Sequence, residues 1–214
     1  MNNDIGNILS QKFESNRTTF LSKKGMHPLF EQFKSFITKI STEQLILQFE
    51  SEIDNNITEW WTNKDKKVDL ESKIFAILFT HRDLCSKEPE ALVYGINETR
   101  TPLKKQLEPY LLDSHDYADG YYAMPGITID FCKELHKLDW TNLKNTEYEG
   151  LDWYELDGRS ELFNTYKFAI KFALHTGLKK LMLSDRFKKI NSVNPLHFLI
   201  QEYDEEVYPL LFVE

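Results

Sequence analysis

Apolar residues recur at helical spacing in two neighbouring stretches near the start of the chain. Leu29, Phe30, Phe33, Phe36, Ile37 and Ile40 repeat at intervals of three and four behind Pro28, which suits a first helical position because it has no amide to leave unpaired. Ser41, followed three residues on by Gln44, reads as a capping box. It opens a second helix to about Trp61, with Leu45, Ile46, Phe49, Ile53, Ile57 and Trp60 on the buried face. The pair predicts an N-terminal helical hairpin. Trp60 and Trp61 sit about 100° apart on a helix, so one is expected in the core and the other partly exposed. Before the hairpin, residues 1–25 carry only Ile5, Ile8, Phe13, Phe20 and Leu21 among polar neighbours, a pattern open to a short packed helix or a loosely docked arm.

Ile74 to Phe79 is the longest unbroken apolar run. It fits a strand buried on both faces, or a helix beginning after Asp69 with Leu70, Ile74, Ile77 and Leu78 on one side. Its shortness, and the strand-like Ala91–Ile96 that follows, favour the strand. The polar connection Thr80–Glu90, with Pro89, is the loop expected between antiparallel neighbours. Pro102 predicts a helix start, ending by Glu108 because Pro109 follows. Asp113–Met124 and Asp139–Gly158 read as loops around a helix over Pro125–Leu138 that buries Ile127, Phe131, Leu135 and Leu138. Two long loops are unusual in a compact domain unless they serve function or hide short strands.

Towards the C-terminus, Ser160 is the expected N-cap of a helix with Leu162, Phe163, Tyr166, Ala169, Ile170, Ala173 and Leu174 in its stripe, and Gly177 its expected end. Leu196–Tyr203 and Val207–Val213 predict a hairpin turning at Asp204-Glu205. Pro209 puts the last strand at a sheet edge, since it has no N–H for a second ladder. The class that holds these elements is α+β: one domain over residues 1–214, with an antiparallel sheet of about four strands and helices packed on one face.

Composition narrows the function. At 214 residues, with 41% hydrophobic and 14% aromatic content, the chain is long and apolar enough to bury a core without disulfide or metal staples. Its two cysteines, Cys85 and Cys132, lack disulfide-framework or metal spacing and read as buried thiols. The first residues lack the basic and apolar regions of a secretory signal, and no apolar run is long enough to cross a bilayer, so a cytoplasmic protein without membrane contact is expected. The net charge of −8 argues against nucleic acid as a partner. The short basic runs Lys64–Lys67 and Lys188-Lys189 read as solvated faces.

That charge is localised. Glu108 to Glu161 holds 13 carboxylates against 4 bases, a balance of −9, interleaved with Tyr, Trp and Phe. Its densest cluster, Asp113-Ser114-His115-Asp116-Tyr117-Ala118-Asp119, contains metal-ligand residue types. The Gly-Asp-x-x-Asp and Gly-Asn-His-Asp/Glu elements that accompany Asp-x-His in metallophosphoesterases are absent. His81-Arg82-Asp83 ends the predicted central strand, where a His–Asp pair can do acid–base work. No glycine-rich loop or Asp-Phe-Gly supports a kinase reading of it, and the chain has no nucleophile elbow, Walker loop or dinucleotide fingerprint. His136, His175 and His197 stand alone in periodic segments and read as packing or surface.

Tyrosine and tryptophan dominate binding hot spots, and carboxylates around them steer a basic partner. The function expected is therefore a non-enzymatic protein, needing no cofactor, that neutralises a basic protein partner such as a toxin or nuclease, as bacterial immunity proteins do. Its expected contacts are Asp113, Asp116, Tyr117, Asp119, Tyr121, Tyr122, Trp153 and Tyr154. One alternative is a metal-dependent hydrolase using Asp113, His115, Asp116 and Asp119. Another is a subunit of a larger assembly that makes contact through Trp61 and the edge near Pro209.

Overall fold

The computed structural model describes residues 1–62, 73–82, 84–203 and 205–214. Asp69 and Leu70 of the alternative helix, the basic run 64–67, Asp83 and Asp204 lie outside the described residues. Those described form seven α-helices and five strands: α1 (Asn2–Ser22), α2 (Pro28–Glu31), α3 (Lys34–Ile37), α4 (Thr42–Asn56), β1 (Ile74–His81), β2 (Glu90–Ile96), α5 (Ser114–Tyr117), β3 (Tyr121–Thr128), α6 (Trp140–Leu143), α7 (Arg159–Leu181), β4 (Ser192–Glu202) and β5 (Val207–Val213). Among them no helix is long and apolar enough to cross a membrane.

The class is α+β, but the sheet has five strands in the order β3-β2-β1-β4-β5 and is mixed, not four-stranded and antiparallel. β1 runs parallel to β4, with His81 opposite Glu202. A parallel neighbour needs a long crossover, supplied here by everything between the two strands, and that return places β4 inside the sheet beside β1 and leaves β5 at the edge. Pro209 sits on that edge strand, opposite Leu199.

The additional strand is β3, in residues expected to be loop and helix start. Pro125 and Gly126 lie inside it, which a sheet edge tolerates. Their carbonyls accept from the Asn56 side chain of α4, at 3.3 and 2.9 Å, and the register against β2 is irregular there. The expected helix survives only as a 3₁₀ segment, Asp130–Leu138.

Helices cover one face. α1 and α4 both pack on α7, against Ile77, Phe79, Val93, Phe198 and Ile200 of the sheet. The first 25 residues resolve into α1, whose Ile5, Leu9, Phe13 and Phe20 are buried; no loosely docked arm forms. The first limb of the expected hairpin breaks into the single turns α2 and α3. At the end of α4 a π-helical turn, Ile57–Trp61, adds one residue to the repeat. That addition exchanges the two tryptophans: Trp61 is 1% exposed and Trp60 is 37% exposed, the reverse of the α-helical expectation, and Trp61 is withdrawn from any assembly surface. α7 starts at Arg159 after Gly158, so Ser160 is not its cap, and Gly177 does not end it. A Cβ on Gly177 would stand 3.4 Å from the Glu50 amide nitrogen, so that glycine serves the close approach of α4.

The opposite face is covered by extended chain. Residues 99–112 form no helix; Tyr110 exchanges backbone hydrogen bonds with Val207 at 3.1 and 2.9 Å. Tyr110, Leu112 and Tyr117 bury Ala76, Leu78, Ile96, Leu199 and Val207 beneath them. Burial of that apolar surface outweighs the local helix signal at Pro102.

Candidate functional site

The two parallel strands finish side by side. The Tyr203 amide donates to the His81 carbonyl at 3.0 Å, which fixes the two strand ends together. One residue beyond β1, the Arg82 guanidinium lies 4.5 Å over the Tyr203 ring. Three hollows open around this pair. One of about 300 Å³, on the face away from the helices, is lined by Arg82, Tyr94, His115, Tyr117, Tyr121 and Tyr203. A second, of about 380 Å³, shares Tyr117 and Tyr203 and adds Leu111, Asp113, Asp116 and Glu205. The third, of about 400 Å³ on the helical side, shares Arg82 and adds Trp140, Trp153, Tyr154, Arg159 and Glu202. Two further hollows lie away from this edge, beside Phe131 and beside Tyr148.

α5 positions the acidic cluster. Asp113 is its N-cap, with Oδ1 accepting from the His115 amide at 2.8 Å and lying 2.6 Å from His115 Nδ1. The His115 amide holds the Asp113 carboxyl below the usual range, with the imidazole adding to it, so Asp113 is ionised at neutral pH. Asp116 closes the reciprocal cap by accepting from the Asp113 amide at 3.1 Å, and its other oxygen accepts from Thr101 Oγ1 at 2.6 Å. Asp119 pairs with Arg100. Of the four proposed metal ligands, Asp113 and His115 thus pair with each other, while Asp116 and Asp119 turn to Thr101 and Arg100. Among the described residues no three His, Cys, Asp or Glu side chains converge as a metal site.

The expected aromatic contacts divide. Tyr117 and Tyr121 join Tyr94 in an edge-to-face chain, with centroid distances of 6.0 and 5.3 Å. Tyr117 is buried, and desolvation together with its tyrosine neighbours pushes its hydroxyl up to about 12, which keeps it a donor. Tyr122 points the other way, because successive strand residues alternate faces; its ring fills the space above Gly95, against the helical core. Trp153 and Tyr154 stack at 4.2 Å beside the third hollow. The acidic stretch thus wraps the sheet edge instead of forming a single face, and Arg82 is the wall its two aromatic groups share.

The His81-Arg82-Asp83 motif does not deliver its acid–base pair through His81. That imidazole is 1% exposed, neither ring nitrogen has a hydrogen-bond partner among the described residues, and burial beside Lys171 and Lys167 pushes its pKa down to about 3. The useful member is Arg82. His136 and His175 bond the carbonyls of Cys85 and Leu210, and His197 packs edge-on against Phe212, so all three have structural settings.

Sequence reading missed Leu111, Trp140, Arg159, Tyr203 and Glu205. Of these Trp140 had a visible signal, an aromatic residue inside the acidic stretch. The others come from segments that only the sheet brings together. Among the described residues six aromatic side chains are substantially exposed, and four of them (Tyr121, Trp140, Tyr154 and Tyr203) line the hollows that meet at Arg82. Comparison of the chain with family models, curated proteins and solved structures returns no match.

Proposed function

We propose that this chain is a non-enzymatic cytoplasmic binding protein that neutralises a basic protein partner, with its contact surface at the carboxyl ends of β1 and β4. The carrying observation is the hollow of about 380 Å³, whose described lining includes the carboxylates of Asp113, Asp116 and Glu205 and no base. Leu111, 74% exposed, and Tyr203 stand beside them, so the hollow offers apolar contact together with negative charge. A lysine or arginine side chain is the chemistry that fits: its aliphatic stem packs on Leu111 and the Tyr203 ring while its cation reaches the carboxylates. Tyr121 extends the contact on one side. This is the task that immunity proteins of bacterial toxin systems perform.

The carboxylates contribute mainly to encounter and to the choice of partner, since exposed ion pairs add only about 0.2–1 kcal/mol each. Reversal of Asp113 and Glu205 to lysine therefore should slow association by about tenfold or more at low salt and leave dissociation less affected. The test is an affinity capture from native lysate at low and high salt, followed by association kinetics of the recovered protein with wild-type and reversed chains. A stoichiometric basic protein whose capture needs Asp113 and Glu205 supports the reading. Capture that is indifferent to the reversal sinks it.

A further inference from the structure

We propose that the hollow between Arg82 and Arg159 is a second, separate binding site, for a small ligand that carries an oxyanion on a flat ring. Both guanidiniums line this hollow of about 400 Å³. Each lies against aromatic rings. Arg82 lies 4.5 Å over Tyr203, and Arg159 lies 4.6 Å from Tyr154, 5.0 Å from Phe163 and 5.3 Å from Trp153. A guanidinium packed by its π face keeps its in-plane N–H donors, the fork that matches carboxylate or phosphate oxygens.

Nothing described in the chain fills those forks. The two acids that line the hollow are engaged elsewhere: Glu202 pairs with Lys167, and Asp139 caps α6 by accepting from the Thr141 amide at 2.8 Å. Among the described residues neither arginine is ion-paired, and the Arg159 Nε is buried without a hydrogen-bond partner. Two cations with no ion pair among the described residues and a buried, unpartnered donor on one of them are what an oxyanion would satisfy.

The rest of the lining sets the ligand's other half. Leu84, Cys85, Leu138 and Phe163 form an apolar floor, and Trp140, 73% exposed, stands at the rim with its ring open to solvent. An indole so exposed is a platform for stacking a planar group, and the cavity is at the small end of those that enclose a small molecule. The shared chemistry is thus an aromatic ring joined to phosphate or carboxylate, as in a nucleoside monophosphate or an aromatic acid. This site lies on the helical side of Arg82, so it does not depend on the basic-partner reading.

The experiment titrates the full chain with adenosine 5′-monophosphate, 2-naphthoate, ribose 5-phosphate and inorganic phosphate, read by tryptophan fluorescence and by calorimetry. Either ring-bearing probe is expected to bind saturably, and which of them does so distinguishes phosphate from carboxylate. Arg82→Gln should weaken it by about tenfold or more, the usual consequence of losing a charged hydrogen bond. Trp140→Ala, at an exposed position that folding does not need, should weaken the ring-bearing probes and leave ring-free anions unaffected. Absence of binding by both ring-bearing probes at millimolar concentration overturns the proposal. So does binding that both variants retain, or equal affinity for the ring-free anions.

Discussion

Replacing Lys171 by methionine should make this protein more stable at neutral pH. Lys171 lies in α7, only 4% exposed, with its Nζ 3.8 Å from the Tyr208 ring centroid and 4.8 Å from that of Phe168. No carboxylate among the described residues is ion-paired with it; Glu202, the nearest acid in electrostatic effect, pairs instead with Lys167. Desolvation, aided by Lys167 and Lys12 and opposed by Glu202 and Glu205, pushes its pKa down to about 7. From the ordinary 10.5 that displacement corresponds to about 4–5 kcal/mol against the charged form. The two ring faces return about 2 kcal/mol through cation–π attraction. The penalty wins, and methionine of similar length should gain about 2–3 kcal/mol near pH 7, or about 5 °C in Tm.

The sign of the pH dependence is fixed by the same displacement. Between about pH 7 and 10.5 the unfolded chain binds a proton at this lysine that the folded chain has lost, so wild-type stability rises with pH through that window. The variant lacks this rise. Urea unfolding of both proteins at a series of pH values, followed by tryptophan fluorescence, should show the variant's advantage greatest at neutrality and fading as pH approaches 10. A variant less stable than wild type at pH 7, or an advantage constant across the series, would refute the reasoning.

His81→Leu acts on the acid side. Because the folded imidazole pKa is lowered to about 3, protonation opposes folding as pH falls below 6.5, by about 5 kcal/mol once both states are below their pKa values. The variant should resist acid unfolding, and superimposable acid titrations of the two proteins would count against the buried imidazole. Trp61→Ala should cost about 3–5 kcal/mol and Trp60→Ala far less, because the π-helical turn buries only the former; comparable losses in urea unfolding would contradict that register. Asn56→Ala removes the donor to the Pro125 and Gly126 carbonyls and should cost about 1–3 kcal/mol. Hydrogen exchange at β3 amides should accelerate with it, and unchanged exchange there would show that β3 is held by other contacts.

Local chemistry was legible wherever one segment decides its own structure. The stripe of Leu45, Phe49 and Ile53 is the buried side of α4, Ser41 caps it by accepting from the Gln44 amide at 3.3 Å, and the β4–β5 hairpin with Pro209 on an edge follows from pattern and turn residues. Cys85 and Cys132 are both buried, as their surroundings suggested. The candidate site was half legible. Asp113, Asp116, Tyr117 and Tyr121 do gather around α5, while Tyr122 and most of Trp153 went to packing, because neither a strand's facing nor a ring's burial can be read from an acidic neighbourhood.

What the sequence determined by itself was the class of the fold, the helices α4 and α7, the strands β1, β2, β4 and β5, and the concentration of negative charge between Glu108 and Glu161. The tertiary structure decided the parallel pairing of β1 with β4, the strand hidden at Pro125-Gly126, the exchange of Trp60 and Trp61, and the use of Gly177 for packing. It also decided that Arg82, Arg159, Tyr203 and Glu205 share one edge. The physical reason is the range of the forces. Periodicity, capping and turn preference act within a few residues, whereas strand order, which face a ring takes and which charges meet are set by burial between segments tens of residues apart.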